Sequence, residues 1–339
     1  MPHFRGAKNL LGLFLISLAL SFIVPPALAQ GPGGPAIFME KPAPPAEEKK
    51  DAPPSTCGPI ICDTCVPIDT SKFAMQAFWA LSIYTGNFSH NWRHVDAKGN
   101  FYTFNMPIKF TYGPTKDMEV YVIVPFVTNW VDSANKSLAG PNGERNAGYS
   151  GIGDMTLIGK YNLLPETDSR PAITAVGGLS TIPTGHASHL NPGRLVQDAI
   201  GTGSLSFVTG FNLFKYLKPF LIHSQIWYNT PINMYKIHGN DFPQAVRNHD
   251  WVTFNLAAEL PLTKDKKWIL LTEMYSNWTW SNIYSPQGFQ SPTTLLGIQP
   301  ALEYVATDKL SMAAGCAFDL VGKFGGQKIT PVLTMLYSF

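Results

Sequence analysis

The stretch Phe101-Tyr102-Thr103-Phe104-Asn105-Met106-Pro107-Ile108-Lys109-Phe110-Thr111-Tyr112 alternates between two sets of side chains. Tyr102, Phe104, Met106, Ile108, Phe110 and Tyr112 form one set; Phe101, Thr103, Asn105, Pro107, Lys109 and Thr111 form the other. Successive residues of an extended strand point to opposite faces, so this segment is a strand with one greasy face and one polar or mixed face. Residues 152–163 repeat the pattern, with Met155, Leu157, Gly159, Tyr161 and Leu163 against Asp154, Thr156, Ile158, Lys160 and Asn162. So do residues 251–260, where Val252, Phe254, Leu256, Ala258 and Leu260 alternate with Thr253, Asn255, Ala257 and Glu259.

Carried along the chain, the same reading predicts twelve strands, at about 74–84, 101–112, 118–129, 152–163, 171–181, 202–213, 218–228, 250–260, 267–278, 292–304, 309–319 and 327–339. Their connections alternate in length. Long loops at 86–100, 130–151, 182–201, 229–249 and 279–291 follow the odd strands, and short turns at 113–117, 164–170, 214–217, 261–266 and 305–308 follow the even ones. That asymmetry belongs to outer-membrane barrels, which have short periplasmic turns and longer outer loops. Aromatic residues fall where strands would cross two membrane interfaces: Tyr84, Trp130, Trp227, Trp251, Trp278 and Trp280 beside long loops, and Tyr112, Tyr161, Trp268, Tyr304 and Tyr337 beside short turns. The last strand carries Leu333, Met335, Tyr337 and Phe339 on alternate positions, which resembles the carboxyl-terminal signal read by barrel assembly machinery.

A water-soluble sandwich would alternate in the same way, so composition must separate the two. Charged residues are only 14% of the 339, against roughly 25% in soluble domains, and the polar faces favour Thr, Ser, Asn and Gly over Lys or Glu. Hydrocarbon requires every backbone amide to find an internal partner, so strands can cross a bilayer only as a closed sheet. The expected fold class is therefore all-β, a transmembrane antiparallel up-and-down β-barrel of about twelve strands over residues 73–339, with outer-membrane lipid as its surroundings. Formal charge is +2, all of it in Arg5 and Lys8, which leaves the rest neutral and argues against nucleic acid as a partner.

Two segments precede the barrel. Residues 1–29 read as a signal peptide: Arg5 and Lys8, then an apolar run over 10–24, then Ala27-Leu28-Ala29 as the small-residue cleavage pattern. Residues 30–72 read as a disordered, Pro-rich, Cys-containing periplasmic tail, because its many prolines remove amide donors and favour extended backbone. Both termini are then expected in the periplasm of a Gram-negative-type cell, with the barrel in the outer membrane.

With the greasy sets facing lipid, the inward set carries Lys109, Glu119, Asp154, Lys160, His223, Gln225, Glu259, Glu273, Asn277, Gln299, Glu303 and Asp319. Six acids against two cations favour neutral or cationic solutes; alternatively the charges pair across the lumen and stabilise the wall. Strand direction puts Lys109, Glu119, Glu259 and Glu303 near the periplasmic mouth and Glu273 near mid-height. Twelve strands enclose a bore between the filled eight-stranded case and the wide porins.

The run Tyr149-Ser150-Gly151-Ile152-Gly153-Asp154-Met155-Thr156-Leu157-Ile158-Gly159-Lys160-Tyr161, followed by Ser180-Thr181-Ile182-Pro183-Thr184-Gly185, resembles the outer-membrane transporter-like family labelled for a MetA pathway of phenol degradation. The resemblance covers residues 73–339 and implies a barrel that passes small organic, often aromatic, solutes. Read on its own, Gly151-x-Gly153 allows a bulge or tight start to the strand, and Asp154 is placed to accept hydrogen bonds from loop amides.

Cys57, Cys62 and Cys65 lie within nine residues of the tail. Haem attachment would need His at position 66, which is Val. A local disulfide with one cysteine left over, a thiolate metal site and an intermolecular bridge all stay open. His186 and His189 lack a third ligand nearby. His223 and Ser224 face opposite sides of a strand, and no Gly-x-Ser-x-Gly occurs, so no enzyme activity and no cofactor is expected. The expected function is an outer-membrane channel passing small organic compounds by passive diffusion. The alternative is a plugged structural barrel whose tail docks a periplasmic protein partner.

Overall fold

The computed structural model describes residues 58–339 except 188, 233–234, 238–243, 247–248, 281–283, 286–287 and 290–291. Residues 1–57, which include the segment read as a signal peptide, Cys57 and most of the segment read as a tail, lie outside the described residues. The strands are β1 (Phe73–Phe88), β2 (His94–Thr115), β3 (Met118–Asp132), β4 (Ala147–Ile152), β5 (Met155–Leu164), β6 (Ala172–Ile182), β7 (Ser206–Leu217), β8 (Phe220–Pro231), β9 (Tyr235–Ile237), β10 (Gln244–Val246), β11 (Trp251–Pro261), β12 (Trp268–Thr279), β13 (Tyr284–Ser285), β14 (Gly288–Phe289), β15 (Thr294–Thr307), β16 (Leu310–Lys323) and β17 (Gly326–Ser338).

Thirteen of these form one antiparallel sheet in the order β2-β1-β17-β16-β15-β12-β11-β8-β7-β6-β5-β3-β4, and a further pairing of β2 with β3 shuts the ring. β4 and β5 pair one after the other along β3, so together they make a single interrupted stave and the barrel has twelve. β9 with β10, and β13 with β14, are short ladders inside two long connections. The first and last staves meet through Ala74↔Ser338, and Phe339 N–H donates to the Phe73 carbonyl at 2.8 Å, so the ends of the ring share the short-turn end.

The alternation read from the sequence sorts the wall. Asn255, Ala257 and Glu259 of β11 are buried while Phe254 and Leu256 are exposed; Ile269, Leu271 and Glu273 of β12 are buried while Trp268 and Leu270 are exposed. Phe110, Phe126, Leu157, Phe211, Ile226, Leu302 and Leu333 continue the outer apolar surface around the ring. At the short-turn end Tyr112, Trp268 and Tyr304 make aromatic pairs on the outer wall, Phe73 stacked on Tyr112 at 4.5 Å and Trp268 tilted against Tyr304 at 4.8 Å. Among the described residues no helix is long and apolar enough to cross a membrane.

Two of the boundaries that differ from expectation have a visible cause. Residues 214–217 are not a turn but the end of β7, because Phe214 packs inward on Ala172 and Leu221 and the Tyr216 amide donates to Glu166 Oε1 at 2.7 Å. The first long loop shrinks to residues 89–93, since β1 and β2 stay paired past a bulge at Tyr84 and Gly86.

Candidate functional site

The lower lumen is occupied by the chain itself. Residues 58–72 form no strand, and from the start of β1 they climb inside the wall from the short-turn end toward mid-height. Ser71 N–H donates to the Gly113 carbonyl at 2.7 Å, at the turn that joins β2 and β3. The Ile68 amide donates to Glu119 Oε2 on β3 at 3.0 Å. Further up, Cys65 is buried with Ala172, Phe214 and Leu221, and the Thr174 hydroxyl donates to its carbonyl at 2.7 Å. The Asp63 amide donates to Gln225 Oε1 on β8 at 2.7 Å. Finally Glu273 on β12 takes three consecutive amides, from Ile60, Ile61 and Cys62, at 2.7, 2.9 and 2.8 Å. Ile60 packs on the buried group Ile269, Leu271, Ala301 and Ala313. We call this segment the plug.

Its centre is electrostatic. Asp63 lies 3.3 Å from Lys109 Nζ and 3.3 Å from Lys160 Nζ, and it accepts from Asn212 Nδ2 at 3.0 Å. Lys160 also reaches Glu119 at 2.8 Å and the Thr64 carbonyl at 2.8 Å. Two ammonium groups therefore face two carboxylates, one of them supplied by the plug. Without Asp63 the wall would hold one surplus buried cation, which is costly in a low-dielectric interior. Burial alone would push the Asp63 carboxyl up, but the Lys160 and Lys109 ammonium groups outweigh it and hold it below the usual carboxylate range. Lys109 also sits over the Tyr121 ring at 4.0 Å.

Of the residues expected along the lumen, Lys109, Glu119, Lys160, Gln225 and Glu273 are thus brought together by the plug. His223 and Glu259 instead pair with each other at 3.1 Å. Gln299 approaches Glu273 at 3.5 Å, and Glu303 is fully buried on β15. Asp319 accepts from the Tyr275 hydroxyl at 2.8 Å. Asn212 and Thr174, which the sequence reading did not single out, also hold the plug, through Asp63, the Thr64 carbonyl and the Cys65 carbonyl. Cys62 and Cys65 are free thiols, so no disulfide joins them. Among the described residues no group of His, Cys, Asp or Glu is arranged to hold a metal.

The long-loop end is built differently. Asp154, at the break between β4 and β5, accepts from the Gly185 amide at 2.9 Å and from the Thr202 amide and hydroxyl at 2.5 and 2.7 Å. Thr184 bridges the same break, taking the Met155 amide at 3.0 Å and donating to the Gly153 carbonyl at 2.7 Å. A Cβ on Gly201 would lie 2.6 Å from Asp154 Oδ1 and 2.8 Å from Gly185, so the clasp closes only around glycine. The motifs that carry the family resemblance are therefore a buckle that folds the loop over the mouth. Asn129 adds hydrogen bonds to the Gln197 and Ala199 carbonyls at 3.2 and 3.4 Å. Below this loop is a cavity of about 810 Å³ lined by Tyr84, Phe101, Val127, Leu138, Val196 and Ile200 among others. Tyr84 and Trp227, expected in the outer aromatic girdle, turn inward instead: Tyr84 lines the cavity, and Trp227 donates to Asn212 Oδ1 at 2.8 Å because its apolar ring fits beside Tyr121, Ile158 and Val208.

No family model matches the chain, and no curated protein does. Among solved structures it is similar to an outer membrane channel from Pseudomonas putida F1, at 13% identity and TM-score 0.65, over 81% of this chain and 97% of that one. Weaker likenesses are the CymD monoaromatic hydrocarbon channel (11% identity, TM-score 0.41, 80% of this chain and 89% of that one) and the Ralstonia pickettii toluene transporter TbuX (11%, 0.39, 80% and 90%). At these identities the first likeness establishes the fold, a closed twelve-stave barrel of the kind found in an outer-membrane channel.

Proposed function

We propose that this protein is an outer-membrane channel that takes up small hydrophobic compounds, aromatic ones in particular, by passive diffusion, with its long loops outside the cell and both termini in the periplasm. The observation that carries the reading is the cavity at the long-loop end. It is roomy, lined by Tyr, Phe, Val, Leu and Ile, and roofed by a loop buckled to the wall. The apolar part of the lining takes an apolar ring out of water at about 25 cal/mol per Å² buried; of the charged residues in the lining, Asp96, Lys98 and Asp154, the last is turned to the amides of Gly185 and Thr202. Catalysis is not part of the reading: Lys109, Glu119, Lys160 and Glu273 are engaged by the plug, His223 lies against Glu259, and Asp319 takes the Tyr275 hydroxyl. The test is uptake into proteoliposomes of toluene against a hydrophilic solute of similar size. Faster entry of toluene supports the reading, and equal exclusion of both ends it.

A second reading is favoured by the plug: a closed barrel whose preceding tail engages a periplasmic protein. That reading predicts no uptake of either solute, and none after the plug is loosened.

A further inference from the structure

The cysteines are the one motif that the channel reading leaves unused. Cys62 and Cys65 bracket Asp63 and Thr64, and those two residues supply the contacts to Lys109, Lys160 and Asn212. The span between the two thiols is therefore the latch itself. In the docked plug the two cysteines serve different parts of the wall. The Cys62 amide is tied to Glu273 on β12, whereas Cys65 Sγ lies 3.0 Å from the Thr174 hydroxyl of β6 and donates to the Asn212 carbonyl of β7 at 3.4 Å. Both side chains are free thiols and residues 63–64 make no turn between them. A disulfide needs Cα atoms roughly 4.4–6.8 Å apart with both sulfurs facing each other, and across a Cys-x-x-Cys that means a tight turn. Forming it would draw Cys65 out from among Ala172, Phe214 and Leu221 and re-aim Asp63 between the two lysines.

We infer that Cys62 and Cys65 are a redox latch: the dithiol form docks in the lumen, and the disulfide form cannot, so oxidation holds the plug out. The plug's position follows from its own contacts, and only the consequence for solute flow rests on the channel reading. Docking also shields the thiols. Cys62 and Cys65 are 2% and 1% exposed, and burial together with the Glu273 and Asp63 carboxylates pushes the Cys62 thiol up, keeping it protonated and a poor nucleophile. Oxidation therefore catches the plug after it leaves its seat. The step is thiol–disulfide exchange with a protein or glutathione disulfide, as an oxidising periplasm supplies. The Cys62 thiolate attacks one sulfur of that disulfide and expels the first thiol. The Cys65 thiolate then attacks Cys62 Sγ and expels the second. The two protons lost by the cysteines end on the two thiols released, and the two electrons go to the oxidant.

The experiment uses the full mature chain carrying Cys57→Ser and Cys316→Ala, so that only this pair can close. One sample is oxidised with glutathione disulfide while unfolded, a second is kept reduced, and both are refolded into detergent micelles. The Cys62–Cys65 link is verified by peptide mass, barrel closure by heat-modifiable gel mobility, and docking by hydrogen exchange at the amides of Ile60, Ile61, Cys62, Asp63 and Ile68. The latch predicts slow exchange in the dithiol form, at least about 100-fold faster exchange in the disulfide form, and recovery when reductant is added to the folded oxidised sample. Cys62→Ser with Cys65→Ser is expected to ignore oxidant altogether. Equal protection in the two forms, or no Cys62–Cys65 link even in the unfolded chain, overturns the inference. No solute enters this measurement, so a barrel with a moving plug but no toluene uptake refutes the channel reading and leaves the latch standing.

Discussion

The two ends of the lumen are closed by opposite chemistry. At the short-turn end the plug is held by charge: three amides on Glu273, one on Glu119, and Asp63 between Lys109 and Lys160. At the long-loop end a buckle of Asp154 on loop amides, with Thr184, Gly185 and Gly201, roofs a cavity whose lining is mostly apolar. If the segment withdraws, water can follow it and solvate the freed lysines and carboxylates again, whereas the apolar lining at the other end gains nothing from water. On the proposed reading the lower end is thus the one that releases and the upper end the one that receives.

The largest expected effect comes from the charged end. Lys160→Met leaves Glu119 without its ammonium partner and Asp63 with Lys109 alone, and breaking a buried pair costs about 3–5 kcal/mol, or about two to four decades in the ratio of docked to free plug. Hydrogen exchange at residues 60–68 should accelerate accordingly, with open-state conductance in planar bilayers rising in step. Glu273→Gln keeps the shape but turns three charge-assisted bonds into neutral ones, a loss of about 1–2 kcal/mol, so the same exchange should quicken roughly tenfold.

At the receiving end the effect should appear in uptake and not in docking. Ile200→Asp puts a charge beside the apolar lining, and removing one Ile from a guest's surroundings is worth about 1.5 kcal/mol. Toluene entry into liposomes should drop about tenfold while plug exchange stays unchanged. If both change together, the two ends are not separate devices.

The smallest effect is that of acid. Asp63 is held below its ordinary range by Lys160 and Lys109, so its contribution to docking is complete above the free-Asp value of about 3.9. It is lost only as pH falls from there through the docked value. The Asp63 part of the conductance response, read as the difference between the chain and Asp63→Asn, should be absent down to about pH 4 and amount to a few-fold rise below it. An increase already complete at pH 6 would assign the latch to some other group.

The barrel was legible because a strand's period of two is local: each of residues 101–112 declares its face without help from the rest of the chain. Buried and exposed positions alternate as the period of two has them in β11 and β12, and a bound that moves by four residues, as at β7, leaves that parity intact. The plug was not legible. Its partners lie 41 to 213 residues away, from Lys72 with Gly113 to Ile60 with Glu273, and an amide that seeks a carboxylate leaves no mark in the sequence. Prolines in the same segment spoke only for extended backbone. Asp154 was half legible: its role in binding loop amides could be read from Gly151-x-Gly153-Asp154, but not that Gly185 and Thr202 would supply them. Trp227 misled because aromatic residues near strand ends mark an interface only when parity turns them outward, and its parity matches Gln225 and His223.

The most direct test of the account is the single-channel conductance of the full mature chain against a chain lacking residues 30–72, whose barrel still begins at Phe73. If the plug closes the lumen, the shortened barrel conducts several-fold more than the full chain under the same salt and voltage. Equal conductance from two correctly closed barrels would mean that residues 58–72 do not block the bore, and the division of labour between the two ends would be wrong.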